Sequence, residues 1–390
     1  MSSRRADQYR RLDTDRLADD PRTRIIVCCG SGGVGKSTVA AAVGLRAAER
    51  GRHVVVLTVD PARRLAQSMG LTSLDNTPRL VQGVAGSAGS LHAMMLDMKR
   101  TFDEIVEAHA DPDRAAQILA NPFYQSLSSS FAGTQEYMAM EKLGQLRRAE
   151  EWDLIVVDTP PSRSALDFLD APQRLSRFLD GRLLRLLTAP AKVGGRAYLK
   201  VLNAGFGMVT GIITKILGTQ MLRDVQTFVS ALDTMFGGFR ERADYTYQLL
   251  RAPGTAFLVV AAPEDDALRE ASYFVERLDT ERMPLAGLVL NRVHQVPAAH
   301  LSAARSLAAA ESLAAAGPPA GQPEEDARTL ALAALRLHAG LMDQAAAGRR
   351  MAEHFTASHP LVPVAEIPAQ AEDVHDLDGL RRIGQAFEVQ

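Results

Sequence analysis

A hydrophobic content of 46% over 390 residues is enough to bury a sizeable core, and a net charge of −2 with a pI near 6.5 gives no basic field for nucleic acid or an anionic membrane surface. The two cysteines, Cys28 and Cys29, are adjacent on an apolar run and alternate faces there, so they are badly placed to bridge each other. With no C-x-x-C in the chain, a thiolate zinc site is excluded, and the pair reads as small buried residues of a cytoplasmic protein.

Residues 1–22 are rich in paired arginines and aspartates and poor in apolar residues, which predicts a disordered N-terminal extension and not a signal peptide. Residues 23–390 read as one nucleotide-binding α/β domain. Its first feature is VCCGSGGVGKST, in which an apolar run from Ile25 to Cys29 breaks into glycines and re-emerges as an alanine-rich helical pattern. Gly30, Gly35, Lys36 and Ser37 satisfy G-x-x-x-x-G-K-[ST] between a predicted strand and a predicted helix. Backbone N–H groups of Gly30, Ser31, Gly32, Gly33, Val34 and Gly35 then turn toward a phosphate, helped by the positive end of the helix that follows. Lys36 supplies a point charge, Ser37 a hydroxyl for Mg²⁺, and Thr38 a further phosphate contact.

Near-continuous apolar runs follow at Val54–Val59, Leu154–Val157, Ala256–Ala262 and Leu285–Leu290, as expected of strands buried on both faces. Each ends in polar residues, on the side where open parallel sheets bind ligands: Asp60-Pro61, Asp158-Thr159, the AAPED turn and Asn291-Arg292. The fold class is therefore a doubly wound, mostly parallel α/β sheet. Asp60 and Asp158 read either as carboxylates facing the ligand or as turn residues before proline. Asn291 reads either as an amide that donates and accepts at the ligand or as a cap on the next element.

Roughly a hundred residues separate Asp60 from Asp158, far more than one crossover needs, which predicts helical insertions at about 90–150 and again at 165–250. The first includes LHAMMLDMKRTFDEIVEAHA and GTQEYMAMEKLGQLRRAEE, where Met94, Met95, Met98, Met138 and Met140 add soft apolar side chains. The second contains an apolar run from Val201 to Leu222. Lys215 and four glycines argue against a direct transmembrane span; a buried core helix and a mobile apolar surface for a hydrophobic client both stay open. Ala303–Ala352 reads as two helices around the linker GPPAGQPEED, and the end of the chain as a last strand, a ligand-side loop and a helix.

Taken in order, CCGSGGVGKST, TVDPARRLAQ, VVDTPPSRSALDFLD, LVLNRVH and PVAEIPAQAEDVHDLDGL make the chain resemble the arsenite-pump and tail-anchored-protein-targeting ATPases of the SIMIBI P-loop class. The branch usually labelled anion-transporting ATPase, from actinobacteria, looks nearest. The resemblance implies ATP and Mg²⁺ as cofactors. It implies Asp60 as the switch I aspartate that positions or deprotonates the attacking water, and Asp158 as the Walker B-type aspartate that holds Mg²⁺ through water. Asn291 matches the adenine-reading asparagine, with Arg292 beside it, and by analogy the loop from Pro363 to Ala369 lies near the base or ribose.

The chain also departs from that pattern. Ser31 stands where the family has a lysine that crosses a dimer interface, DPARR replaces DPAHS, and DTPPSR replaces DTAPTGH. Loss of a transition-state charge of this kind costs on the order of 10³–10⁵ in rate. A heterodimer with a paralogue that carries the lysine would restore this chain's own site, whereas a homodimer would have none. The function expected is a dimeric ATP-hydrolysing switch for hydrophobic client helices, cytoplasmic or peripheral at the membrane. The alternative is the ATPase subunit of an arsenite-like anion efflux system, for which the family's arsenite-binding cysteines have no counterpart here.

Overall fold

Every residue of β1 (Ile25–Cys29) is buried, as are those of β5 (Leu154–Asp158) and β6 (Thr255–Ala261), because each lies inside a sheet covered on both faces. The computed structural model describes residues 10–387, apart from 61–63, 87, 123, 126–134, 161–240, 297 and 317–321. The apolar run from Val201 to Leu222 and most of the second expected insertion lie outside these residues.

The sheet has the order β3-β4-β2-β5-β1-β6-β7-β8, completed by β2 (His53–Thr58), β3 (Arg79–Leu80), β4 (Ser90–Met95), β7 (Leu285–Val293) and β8 (Val364–Pro368). All neighbours are parallel except β3 and β4. From β1 the chain first builds outward on one side and then, after β5, crosses to the other. The switch falls beside β1, where a doubly wound sheet opens its ligand crevice.

The described helices are α1 (Thr14–Asp19), α2 (Lys36–Glu49), α3 (Arg64–Ser68), α4 (Met98–His109), α5 (Pro112–Leu119), α6 (Gln135–Arg148), α7 (Asp265–Thr280), α8 (Ala303–Ala315), α9 (Gln322–Ser358) and α10 (Leu377–Gln385), with residues 122, 124, 125 and 241–251 also helical. Helix α2 packs on one sheet face with α10, its alanines letting it lie close to the strands. Helices α4, α6 and α7 cover the other. Among the described residues, no helix is long and apolar enough to cross a membrane.

Two expectations change. The stretch LHAMM is not helical: Leu91, Ala93 and Met94 are buried in strand β4, held in parallel register beside β2. Met138 and Met140 are likewise buried, as core residues of α6. Nor is residue 22 the end of a loose extension. Arg11 forms a parallel bridge with Val364, whose carbonyl accepts the Leu12 N–H and whose N–H donates to the Arg10 carbonyl, and α1 docks on α2 because Asp15 and Asp19, one turn apart, meet Arg46 and Arg50, also one turn apart. The buried guanidinium of Arg52 completes the seam, donating to the carbonyls of Ala18 (2.6 Å), Thr23 (2.6 Å) and Asp153 (2.5 Å).

Candidate functional site

The loop Gly30–Gly35 leaves the C-terminal end of β1 and turns directly into α2, which Gly35 caps in a left-handed conformation at φ 93°. Tight neighbours account for its first and last glycines. A Cβ on Gly30 would lie 2.1 Å from the Val260 carbonyl oxygen, and one on Gly35 would lie 2.3 Å from Asn291 Nδ2. Gly32 and Gly33 instead border a cavity of about 1220 Å³, together with Gly35, Lys36, Ser37 and Thr38. Asp60 enters this cavity from the end of β2, and Asn291 and Arg292 from the end of β7.

Lys36 is buried, and its Nζ donates to the Ser31 carbonyl at 2.6 Å, so the ammonium lies folded over the loop. Burial lowers its pKa, while Asp158 and Asp60 pull it back up. Asp158 sits behind the loop with no exposed surface. Its Oδ2 accepts from Thr58 Oγ1 at 2.9 Å, and Thr58 Oγ1 in turn accepts the Asp60 N–H at 3.2 Å. Its Oδ1 is buried without a hydrogen bond of ordinary geometry. Burial raises the carboxyl of Asp158 to about 6, although the Ser37 and Thr58 hydroxyls and the Lys36 ammonium favour its charged form.

A buried carboxylate oxygen with no donor, next to a serine hydroxyl and a lysine, has the chemistry of a magnesium site that is completed by phosphate and water. Among the described residues no cluster of three or more His, Cys, Asp or Glu could hold a metal unaided.

A sequence profile described as anion-transporting ATPase, that of ArsA ATPases, matches residues 23–308. The chain belongs to the ArsA ATPase family. Over 264 residues it is 25% identical to the ATPase ASNA1 homolog of Cryptosporidium parvum, covering 68% of this chain and 63% of that protein. Over 163 residues it is 29% identical to the ATPase GET3 of Malassezia globosa, covering 42% and 46%. A further relative is the ATPase GET3 of Ajellomyces dermatitidis, 24% identical over 279 residues, covering 71% and 75%. The chain thus spans less than two thirds of the length of the first two.

In this ArsA ATPase the expected site residues do not all reach one surface. Gly30, Ser31 and Val34 belong to the loop but not to the cavity wall, and Ser31 Oγ is buried without a partner. Asn291 lines the cavity, yet it is also structural: its Nδ2 donates to the Val34 carbonyl at 2.8 Å and its Oδ1 accepts the Arg292 N–H at 2.9 Å. One of its two N–H donors is therefore committed inside the chain. Pro363 is a correction. It lies before β8, at the opposite end of the strand from the P-loop, and its carbonyl accepts from Leu288 N. The cavity is reached instead at the other end of β8, by Pro368, Ala369 and Gln370.

Sequence reasoning missed Thr58, whose role depends on two strands lying side by side, and the α9 wall formed by Gln344, Gly348, Arg349 and Met351. An alanine-rich helix beyond the family match carries no local signal that it faces a cavity. The chain's two cysteines, Cys28 and Cys29, are both buried on β1, and burial pushes Cys29 up to about 12 and Cys28 well above its usual range.

Proposed function

We propose that this chain is an ATP-hydrolysing, dimeric switch whose nucleotide state governs the binding of hydrophobic helices of membrane proteins. The observation that carries the hydrolytic part is Asp158, with one oxygen held by Thr58 and the other buried without a donor beside the P-loop. Lys36 exchanges the Ser31 carbonyl for phosphate oxygens, and the amides at the start of α2 bind the remaining phosphate charge. Ser37 and Asp158, with Asp60 near by, would hold Mg²⁺, which neutralises charge as it develops on the transferred phosphoryl group. Asp60 orients the attacking water or takes its proton, and Thr58 keeps that carboxylate in register with Asp158. Asn291 and Arg292 lie on the same cavity and would contact the base.

Ser31 in place of a lysine supports a heterodimer in which a paralogue supplies the missing charge, with a homodimer as the rival arrangement. Support for the client part comes from the family resemblance and from the apolar, glycine-rich run Val201–Leu222. A cytoplasmic protein, peripheral at the membrane when it delivers a client, fits this reading. Steady-state ATP hydrolysis by the chain alone and with its paralogue tests it, with Lys36→Ala as the blank. Activity that requires the partner supports completion in trans; equal activity in both removes the heterodimer.

The second reading, an ATPase subunit of an anion efflux system, has the description of the family profile in its favour. Buried, protonated Cys28 and Cys29 disfavour thiol coordination of arsenite in it.

A further inference from the structure

Helix α9 meets the end of the sheet through small residues. Ala345 and Ala352 are buried, and a Cβ on Gly348 would lie 3.2 Å from Cβ of Pro263, in the turn that follows β6. Glycine weakens the interior of a helix, so its place here is explained by the close approach that it permits. Strand β6 is the neighbour of β1, and its Val260 carbonyl packs against Gly30, where the P-loop begins. Pro263 follows Val260 by three residues, a span of at most about 10 Å, so α9 is seated beside the phosphate loop.

Arg349 follows Ala345 by four residues and precedes Ala352 by three, which puts it on the same side of α9, and it borders the cavity. Arg350, about 100° farther round the helix, falls on the other side and does not border it. Arg349 is exposed and forms no ion pair among the described residues, although Glu353 lies one turn along. Lys36 and Arg292 are the other lysine and arginine side chains on this cavity. Arg292 leaves the end of β7, one strand farther from β1 than β6 is. Of the two arginines, Arg349 is therefore the one seated by the strand that adjoins the P-loop.

We infer that Arg349 is a phosphate-binding residue. From the α9 wall its guanidinium donates to oxygens of the nucleotide's phosphate chain, while Lys36 and the loop amides hold that chain from the P-loop. A planar guanidinium holds two phosphate oxygens at once, which the point charge of a lysine does not do. The inference rests on the nucleotide reading of the P-loop and adds a contact to it. That contact is made in cis and acts on binding, so it is separate from the charge that a paralogue would bring to hydrolysis.

Calorimetric binding of AMP-PNP and of tripolyphosphate to the full chain, each with Mg²⁺, tests this without turnover. Arg349→Ala should weaken both by about tenfold, and Arg349→Lys should recover part of the loss. Arg350→Ala should bind both as the parent does. Tripolyphosphate carries neither base nor sugar, so a loss shared by the two probes assigns the contact to phosphate. Circular dichroism checks that the helices of each variant are intact. Parental affinity of Arg349→Ala for AMP-PNP overturns the inference. So does a loss for AMP-PNP alone, which would move Arg349 to the base or ribose, or an equal loss in Arg350→Ala, which would make the effect one of general charge. Lys36→Ala keeps the two readings apart: if it abolishes binding while Arg349→Ala leaves binding intact, the P-loop site stands and only the Arg349 contact falls. A parent chain that binds neither probe removes both.

Discussion

The hydroxyl of Thr58 lies 2.9 Å from Oδ2 of Asp158, joining the end of β2 to the end of β5 beneath the P-loop. Because the same hydroxyl accepts the Asp60 N–H, one buried threonine orders the two carboxylates proposed for metal and water. Thr58→Val keeps the shape and removes both hydrogen bonds. A hydrogen bond to a charged group contributes about 1.5–3 kcal/mol, so hydrolysis should fall by about tenfold or more. Thr58→Ser should retain most of it. Single-turnover hydrolysis of the three proteins, with nucleotide binding measured separately, decides the matter; an unimpaired valine variant would leave Thr58 no part in ordering the aspartates.

Burial raises Asp158 from 3.8 to about 6, so between those values the folded protein binds more protons at this site than the unfolded chain does. This group's contribution is therefore most favourable at low pH and is lost as pH rises toward neutrality, by up to roughly 3 kcal/mol. Asp158→Asn should accordingly stabilise the ligand-free protein at pH 7.5, with the gain shrinking toward pH 4, and should weaken magnesium-dependent nucleotide binding. Urea denaturation of both proteins across this range checks the sign. A variant less stable than the parent at pH 7.5 would contradict it.

Asn291 holds the P-loop as well as facing the cavity. Asn291→Ala leaves the buried Val34 carbonyl without its donor, at a cost of about 1–3 kcal/mol. Thermal unfolding of the ligand-free variant should show the loss before any nucleotide is added. Were Asn291 only a base-reading residue, the melting temperature would not move.

A chain starting at Thr23 loses α1 and its pairing with β8, and strips Arg52 of its Ala18 acceptor. Truncation should lower stability by about 2 kcal/mol or more, and Asp15→Ala with Asp19→Ala should reproduce part of it. Denaturant midpoints provide the comparison; unchanged values would return residues 10–22 to the status of a loose extension.

Strands β1, β5, β6 and β7 were legible because burial on both faces leaves an unbroken apolar run, and the P-loop because its parts are neighbours in the chain. Strand β4 was not, since LHAMM suits a helix as well as a strand and only its register beside β2 decides between them. The docking of α1 was hidden for a related reason: Asp15 and Asp19 become partners of Arg46 and Arg50 only after α2 has been laid on the sheet.

By itself, the sequence determined a P-loop fold of the ArsA ATPase type and the polar residues that end its strands, since local order encodes buried strands and turn chemistry. Tertiary structure alone decided that Thr58 bridges Asp158 and Asp60, that Asn291 grips Val34, and that Pro368 and not Pro363 reaches the cavity. It also turned one face of an alanine-rich helix toward the site and left the leucines Leu330 and Leu337 in solvent. Those outcomes depend on strand register and helix docking, which set distances between residues that no local pattern relates.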